Sequence, residues 1–384
     1  MNRRAARWLA ACVPFGLVMA MLAQALSAAA AGTPGPRVRP AAAPPSPSRL
    51  ASPAAVLPRG WRSSRDREVT VAADAAGLHV LVADEAAGYA WRTVATLGVP
   101  GVDTTEWVGQ ACVTASGTRA VVVYAPRQIT NMGAAQGTAA LAAVVDLGSG
   151  TVTPVAGGFS IAYFSPGCGT GEQTVLSQGG WGEARPGSLD ATRLVLIDAR
   201  TGKTVYAVTE RGQVTSPVPY RGQIAAAYGP GLVTIGAGGR VRTLTRTRGA
   251  AFRLAPDSAG GLGYQVMAGG QVQVRRYAAG RDQLVGTAPA GSVDLAQVSG
   301  HVWVTGPHAS GLGRLPAGWR AANVPVLSQV STGGTLVVTS VASARPQGRG
   351  PQAAPGSPWP VQIGAQVIST GKHVAFTVPT GLPS

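Results

Sequence analysis

The sequence predicts an all-β protein, and three observations favour a β-propeller. Glycine and proline together make up 82 of the 384 residues, which disfavours long helices because both residues interrupt them. Strand-like runs occur in pairs joined by glycine-containing turns, as in β-hairpins. Turn glycines at 150, 202, 239 and 280 are 52, 37 and 41 residues apart, close to the length of one propeller blade.

Each of these hairpins is preceded by another pair of short strand-like runs. Residues 110–114 and 119–124, for example, precede the hairpin that turns at Gly150. The repeating unit therefore has four strands, and we predict six or seven blades over residues 68–343. Tandem β-sandwiches are the alternative, because no WD dipeptide and no kelch double glycine recurs.

The first thirty residues have the pattern of a signal peptide. An arginine-rich start without acidic residues precedes a mostly apolar run from Leu9 to Leu26, and small residues from Ser27 to Ala31 suit cleavage. A retained membrane anchor is the alternative, because the apolar run is nearly long enough to span a bilayer. The pattern predicts a secreted protein, extracellular or associated with the cell wall.

Two proline-rich segments frame the predicted propeller. Residues 31–67 are rich in proline, alanine and arginine, and residues 344–360 are rich in proline and glycine. Such compositions favour extended linkers over regular sheets. Residues 361–384 are then predicted to form a separate C-terminal hairpin and tail.

Removal of the signal peptide, which contains Cys12, leaves Cys112 and Cys168. An even number of cysteines in an exported chain predicts a disulfide. The alternative is a pair of buried free thiols. Two thiols without a nearby histidine do not suit a metal ion, and the sequence predicts no metal and no cofactor.

Positive charge is concentrated in the middle of the chain. The formal net charge is +16, and residues 201–281 hold eleven basic and two acidic residues. Arg240, Arg242, Arg246 and Arg248 are all even-numbered, so they are predicted to share one face of a strand or hairpin and to contact an anion. Outside a cell, anionic wall polymers, polysaccharide or lipid headgroups fit such a stripe better than nucleic acid. Alternatively, the charges protect an exposed sheet edge.

Two long connections are predicted between the second and third strands of consecutive units, over residues 125–140 and 178–192, while the other units have short ones. Long loops on a rigid scaffold commonly carry binding groups. With the inter-blade loop at 157–164, they supply the candidates for ligand contact: Arg127, Asn131, Trp181, Glu183, Phe159 and Tyr163. The predicted disulfide would lie beside them and stiffen the rim. Packing that merely caps the propeller is the alternative.

Several runs resemble a known group of proteins: residues 77–97, 107–113, 121–127 and 166–172. They are similar to the N-terminal region of large secreted surface proteins of high-GC actinobacteria. The resemblance covers most of residues 68–343. It implies export and wall association, and it supplies no activity and no catalytic residues.

No catalytic motif accompanies these features. The four histidines lack metal-ligand spacing, and there is no Gly-x-Ser-x-Gly elbow. The sequence therefore favours a non-enzymatic module at the cell surface that binds a wall polymer, glycan, peptide or protein, with membrane contact only through an uncleaved signal. The alternative is a propeller hydrolase or lyase acting on extracellular polysaccharide.

Overall fold

The computed structural model describes residues 48–74, 76–102, 106–131, 137–161, 165–179, 191–343 and 360–378. These ranges form seven sheets, and in each sheet the hydrogen-bonded order follows the chain. The first strands of neighbouring sheets contact one another around a central axis. The chain is thus a seven-bladed β-propeller, and the predicted fold class is confirmed.

The strands run outward from the axis in each blade. Blades 1 to 3 contain Arg67–Ala73 (β1), Leu78–Asp84 (β2), Ala90–Leu97 (β3); Trp107–Val113 (β4), Arg119–Pro126 (β5), Ala140–Asp146 (β6), Val152–Phe159 (β7); Gly167–Cys168 (β8), Gln173–Gly179 (β9), Ala191–Asp198 (β10) and Lys203–Arg211 (β11). Blades 4 and 5 contain Val214–Tyr220 (β12), Gln223–Tyr228 (β13), Gly231–Ile235 (β14), Val241–Arg246 (β15); Ala251–Pro256 (β16), Leu262–Ala268 (β17), Gln271–Ala278 (β18) and Arg281–Pro289 (β19). Blades 6 and 7 contain Asp294–Val298 (β20), His301–Thr305 (β21), Trp319–Ala322 (β22); Gln329–Val330 (β23), Leu336–Ser343 (β24), Val361–Val367 (β25) and His373–Val378 (β26).

The helical elements are short. One α-helix, Pro53–Val56 (α1), precedes the first blade, and the 3₁₀ turns are Trp61–Ser63 (η1), Glu85–Ala87 (η2), Arg127–Asn131 (η3) and Ala309–Leu312 (η4). Within the described ranges, no helix has both the length and the apolarity needed to cross a membrane.

The hydrophobic core lies between neighbouring blades. On β2, Val80 and Val82 contact the apolar cluster toward blade 2, whereas Leu81 and Ala83 contact the cluster toward blade 7. A middle strand is buried on both faces, so it is apolar at consecutive positions and does not alternate. The outermost strand β15 is largely exposed, because only one strand pairs with it.

Blade 7 corrects the predicted domain boundary. β25 pairs with β24 and β26 pairs with β25, so the stretch that follows the second proline-rich segment supplies the two outer strands of this blade. The separate C-terminal hairpin is therefore not a separate unit, and the propeller reaches Val378.

Blade 6 corrects the prediction of loop lengths. Its third strand β22 runs parallel to β21 and is reached by a connection over residues 306–318 that contains η4. Long connections between second and third strands are thus not confined to blades 2 and 3.

Among the described strands, the ring closes without an exchange between blades 1 and 7, since the strands of each blade follow one another along the chain. Asp66, immediately before β1, is 5% exposed. Its carboxylate accepts hydrogen bonds from the Tyr89 hydroxyl at 2.7 Å, the Ser331 hydroxyl at 2.7 Å and the Thr335 backbone N–H at 3.0 Å. The Gly333 backbone N–H also donates to it. One carboxylate of the first blade therefore organises the first turn of the last blade.

Candidate binding surfaces

The predicted disulfide is present. Cys112 on β4 and Cys168 on β8 form a bridge with 5.7 Å between their Cα atoms. Both residues belong to the innermost strands, so the bridge joins blades 2 and 3 at the wall of the central channel. This prediction is confirmed.

The bridge does not lie beside the long loops. Cys112 pairs with Val121 near the end of β4 that enters the first turn of the blade. The long connection begins at Arg127, just after Pro126, which pairs with Trp107 at the opposite end of β4. Five residues of extended strand separate these ends by about 16 Å. The bridge therefore stiffens the far end of the blade 2–3 seam and not the rim.

The roots of the two predicted long loops meet at Ser160. Its buried hydroxyl donates to the carbonyl oxygen of Gly137 at 2.9 Å and lies 3.1 Å from that of Gly179. Gly137 lies three residues before β6, near the end of the connection in blade 2, and Gly179 is the last residue of β9, where the connection in blade 3 begins. We call this surface the rim; the described part comprises Arg127, Gly137, Ser160 and Gly179.

Few of the candidate ligand contacts fall on described, accessible parts of the rim. Arg127 is 61% exposed at its side chain and forms an ion pair with Glu106. Phe159 has no exposed surface and packs in the core between blades 2 and 3, so it has no surface to offer a ligand. Asn131 ends η3, and nothing is described of its side chain. Tyr163, Trp181 and Glu183 lie outside the described residues.

The four arginines of the basic middle lie at the outer edge of blade 4. Arg242 and Arg246 are on β15, and Arg240 and Arg248 flank it; all four are exposed. We call this surface the arginine edge. No ion pair involves these arginines within the described part of the chain.

The arginines do not share one face, contrary to the prediction from their even numbering. Arg242 pairs with Thr234, and Arg246 pairs with Gly231. These partners are an odd number of residues apart on β14, so they point to opposite faces. The cause is a bulge at Leu244, the extra residue between Thr243 and Thr245. The arginine edge therefore has two basic ends, on opposite sides of the blade.

The residues around the arginine edge are predominantly basic. Glu210, on the outer strand of blade 3, is the acidic side chain beside the turn at Gly239. Burial raises the pKa of Glu210, which favours its neutral form relative to an ordinary glutamate. Lys203, Arg211 and Arg281 add exposed positive charge on the outer strands of blades 3 and 5.

One buried cluster has the residue types of a hydrolase triad. The His79 ring lies 3.0 Å from the Thr96 hydroxyl through Nδ1 and 3.0 Å from the Asp74 carboxylate through Nε2, although the second contact is not aligned as a hydrogen bond. The Asp74 carboxylate also accepts from the Ala76 backbone N–H. Asp74 and His79 are each 2% exposed at the side chain, which leaves no access for a substrate. The cluster stabilises the first turn of blade 1.

No protein-family model matches the chain, and no curated protein matches it in sequence. Among solved structures it is similar to TolB from Acinetobacter baumannii, with 13% identity over 81% of this chain and 63% of that one, and a TM-score of 0.40. It is also similar to a putative 6-phosphogluconolactonase from Bacteroides fragilis, with 12% identity over 83% of this chain and 97% of that one, and a TM-score of 0.44.

A third similar structure is the β-propeller domain of the Trilobed protease from Pyrococcus furiosus, with 8% identity over 82% of this chain and 90% of that one, and a TM-score of 0.39. The chain spans less than two thirds of the TolB structure. These likenesses concern the fold alone, and the propeller assignment rests on the seven sheets themselves.

Proposed function

We propose that this protein is an extracellular β-propeller module that binds an anionic polymer of the cell surface through the arginine edge. The observation that carries the proposal is a group of four exposed arginines on and beside one edge strand, without an ion-pair partner in the described part of the chain. Export is supported by the signal-peptide pattern of residues 1–30.

The surroundings of the arginine edge favour a polyanion over a single small anion. Several like charges on a rigid surface raise the local concentration of a polyanionic partner, and each contact adds to the binding free energy. The bulge at Leu244 places Arg242 and Arg246 on opposite sides of the blade. A long chain that crosses the edge reaches both sides, whereas a small anion reaches only one.

The rim is a second candidate surface, for a glycan, peptide or protein. The Ser160 hydroxyl ties the roots of two long connections in consecutive blades, and Arg127 is exposed next to them. This arrangement supports a binding role for the rim, but the charge pattern favours the arginine edge as the main contact.

Retention on immobilised poly(glycerol phosphate) tests the proposal. Replacement of Arg242 and Arg246 by glutamine is expected to weaken binding about tenfold or more, because a basic residue near an anionic surface contributes about 1 kcal/mol. Raising the salt concentration from 0.05 to 0.5 M should elute the wild-type protein, since exposed charges are screened at high ionic strength.

The matched control is a double variant that removes the same charge elsewhere. Arg59 and Arg314 are exposed and lie outside the arginine edge, so Arg59→Gln with Arg314→Gln should change retention less than twofold. Equal losses in the two double variants would show that only net charge matters. Retention that does not respond to salt would exclude an electrostatic mode of binding.

A further inference from the structure

A cavity of about 440 Å³ lies on the propeller axis, and the innermost strands of all seven blades contribute to its wall. We call it the axial cavity. Its volume falls in the range of ligand-binding sites in proteins, which is roughly 300–1,000 Å³. It is separate from the arginine edge, because β15 is the outermost strand of blade 4 and β12 is the innermost.

Strained backbone is concentrated at this wall. Among the described residues, seven other than glycine have positive φ, and three of them line the axial cavity: Ser216, Arg253 and Leu327. Such residues are unfavourable by about 1–3 kcal/mol each unless the surroundings enforce them, and they cluster at binding sites. Leu327 is also 47% exposed, which is unusual for a leucine inside a channel.

Ser216 and Arg253 occupy equivalent bulges in adjacent blades. The register of β12 shifts between Thr215 and Val218, and that of β16 shifts between Phe252 and Ala255. The Ser216 hydroxyl accepts a hydrogen bond from the Arg253 backbone N–H at 3.0 Å. Bulges commonly redirect side chains next to functional sites. Here the hydrogen bond between Ser216 and Arg253 links the bulge of blade 4 to the bulge of blade 5.

The charges at the wall are compensated within the protein. Arg253 Nε lies 2.6 Å from the Asp294 carboxylate of blade 6, and Arg67 forms an ion pair with Asp84. A charged ligand would therefore enter without a free counter-charge and would lose its hydration. The axial cavity favours an uncharged ligand.

Uncharged polar groups at the wall lack partners. Both polar atoms of the Gln297 amide and the hydroxyl of Thr70 are buried without a hydrogen bond to any described residue, and both residues line the axial cavity. An unpaired buried polar group is unfavourable by about 1–3 kcal/mol, so a ligand that pairs with it is stabilised. An amide offers both the donor and the acceptor that Gln297 requires.

Aliphatic side chains supply the remaining contacts. Val69, Leu254 and Leu295 line the axial cavity, while no aromatic side chain does so among the described residues. Sugar recognition commonly uses the face of an aromatic ring, and aliphatic walls suit small apolar side chains better. The combination of amide-pairing groups and aliphatic surface indicates a peptide.

We propose that the axial cavity binds a short, uncharged peptide segment. The backbone amides of the segment pair with Gln297 and Thr70, and its small apolar side chains lie against the aliphatic wall. The paired bulges at Ser216 and Arg253 hold this wall in place before the peptide arrives, which lowers the entropy lost on binding.

The test uses a panel of N-acetylated, C-amidated tetrapeptides built from alanine, valine, serine and glutamine. Calorimetry is expected to detect binding of uncharged members, and insertion of one aspartate or lysine should abolish it. Gln297→Leu should weaken the best peptide about three- to tenfold, the effect of one lost hydrogen bond. Gln329→Trp, at an exposed wall position, should block the cavity and remove binding.

The matched control is Gln283→Leu, an exposed glutamine on the outermost strand of blade 5, which should leave the affinity unchanged. Thermal unfolding of each variant establishes that it is folded. Three results would each overturn the proposal: no uncharged peptide binds the wild-type protein, the charged peptides bind as tightly as the uncharged ones, or Gln329→Trp leaves the affinity unchanged.

Discussion

Two seams between blades are held together in different ways. At the blade 2–3 seam, Cys112 and Cys168 form a covalent bridge across 56 residues of chain. At the blade 7–1 seam, Asp66 accepts hydrogen bonds from residues about 265 positions later, including Ser331. The first seam is an internal joint between neighbours in sequence, and the second closes the ring.

The comparison shows that the polar contacts of the blade 7–1 seam depend on a single side chain, that of Asp66. A disulfide stabilises mainly by restricting the unfolded chain, and it leaves the folded seam with its own apolar contacts. The closing seam also has a large apolar cluster, which includes Leu81 and Phe376. Its polar part, however, directs several donors to one buried carboxylate. Loss of that carboxylate would leave the Tyr89 hydroxyl and the Gly333 backbone N–H without their acceptor, whereas the Thr335 backbone N–H keeps a contact of 3.1 Å with the Ser331 hydroxyl oxygen.

The largest expected effect is therefore that of Asp66→Ala. Buried donors that lose their acceptor are each unfavourable by about 1–3 kcal/mol, and water entering the seam recovers part of this. We expect the free energy of unfolding to fall by about 3–5 kcal/mol. Urea unfolding measures the loss, and hydrogen exchange should locate it at β1 and β24.

A matched carboxylate in an exposed turn provides the control. Asp146 accepts hydrogen bonds from the Gly148 and Ser149 backbone N–H groups, and its side chain is 36% exposed. Asp146→Ala should reduce stability by about 1 kcal/mol or less, because water can replace the lost acceptor. A similar loss in both variants would mean that the closing seam does not depend on Asp66.

Removal of the disulfide is expected to have the next largest effect. Cys112→Ala with Cys168→Ala should lower the free energy of unfolding by about 2–4 kcal/mol, close to the chain-entropy value for a loop of this length. Hydrogen exchange through local opening should become faster at β4 and β8, whereas exchange through global unfolding becomes faster at every strand. If exchange through local opening rises equally at β1 and β24, the two seams are not independent and the comparison fails.

The propeller was predictable because its signal is local and repeated. Glycine turns such as Gly202 and Gly239 have positive φ and mark successive hairpins. The two outer strands of blade 7 were assigned to a separate hairpin because a proline-rich segment separates β24 from β25, and the pairing between them depends on tertiary contacts. The third strand of blade 6 was missed because β22 is parallel to β21 and leaves no hairpin in the sequence.

The contacts that close the ring could not be predicted from the sequence, because they also join residues that are far apart along the chain. Asp66 lies in a segment assigned as a linker, and its partners follow about 265 residues later. One signal was present, since Asp66 is the only acidic residue in the basic segment 31–67. Arg242 and Arg246 lie on a strand as predicted, but the bulge at Leu244 depends on the register with β14, which alternation alone does not reveal.

The smallest expected effect concerns the pH response of the closing seam. Glu68 on β1 is 1% exposed, and neither of its carboxylate oxygens accepts a hydrogen bond from a described side chain. Burial first, and then the charge of Asp66, raise the pKa of Glu68 well above its usual value near 4.5. Burial likewise raises the pKa of Glu85, and the Tyr89 hydroxyl faces the carboxylates of Asp66 and Glu85.

A carboxyl group with a raised pKa in the folded state binds its proton more tightly there than in the unfolded chain. Its contribution to stability is therefore fully present below about pH 4.5 and declines as the pH rises through the folded-state pKa. Glu68→Gln cannot ionise, so it should match the wild-type protein at pH 4 and exceed its stability at pH 8 by about 1 kcal/mol or more, since one pKa unit corresponds to about 1.4 kcal/mol. Urea unfolding at both pH values measures this. If Glu68→Gln keeps the full pH dependence of the wild-type protein, ionisation of Glu68 does not weaken the seam that closes the ring.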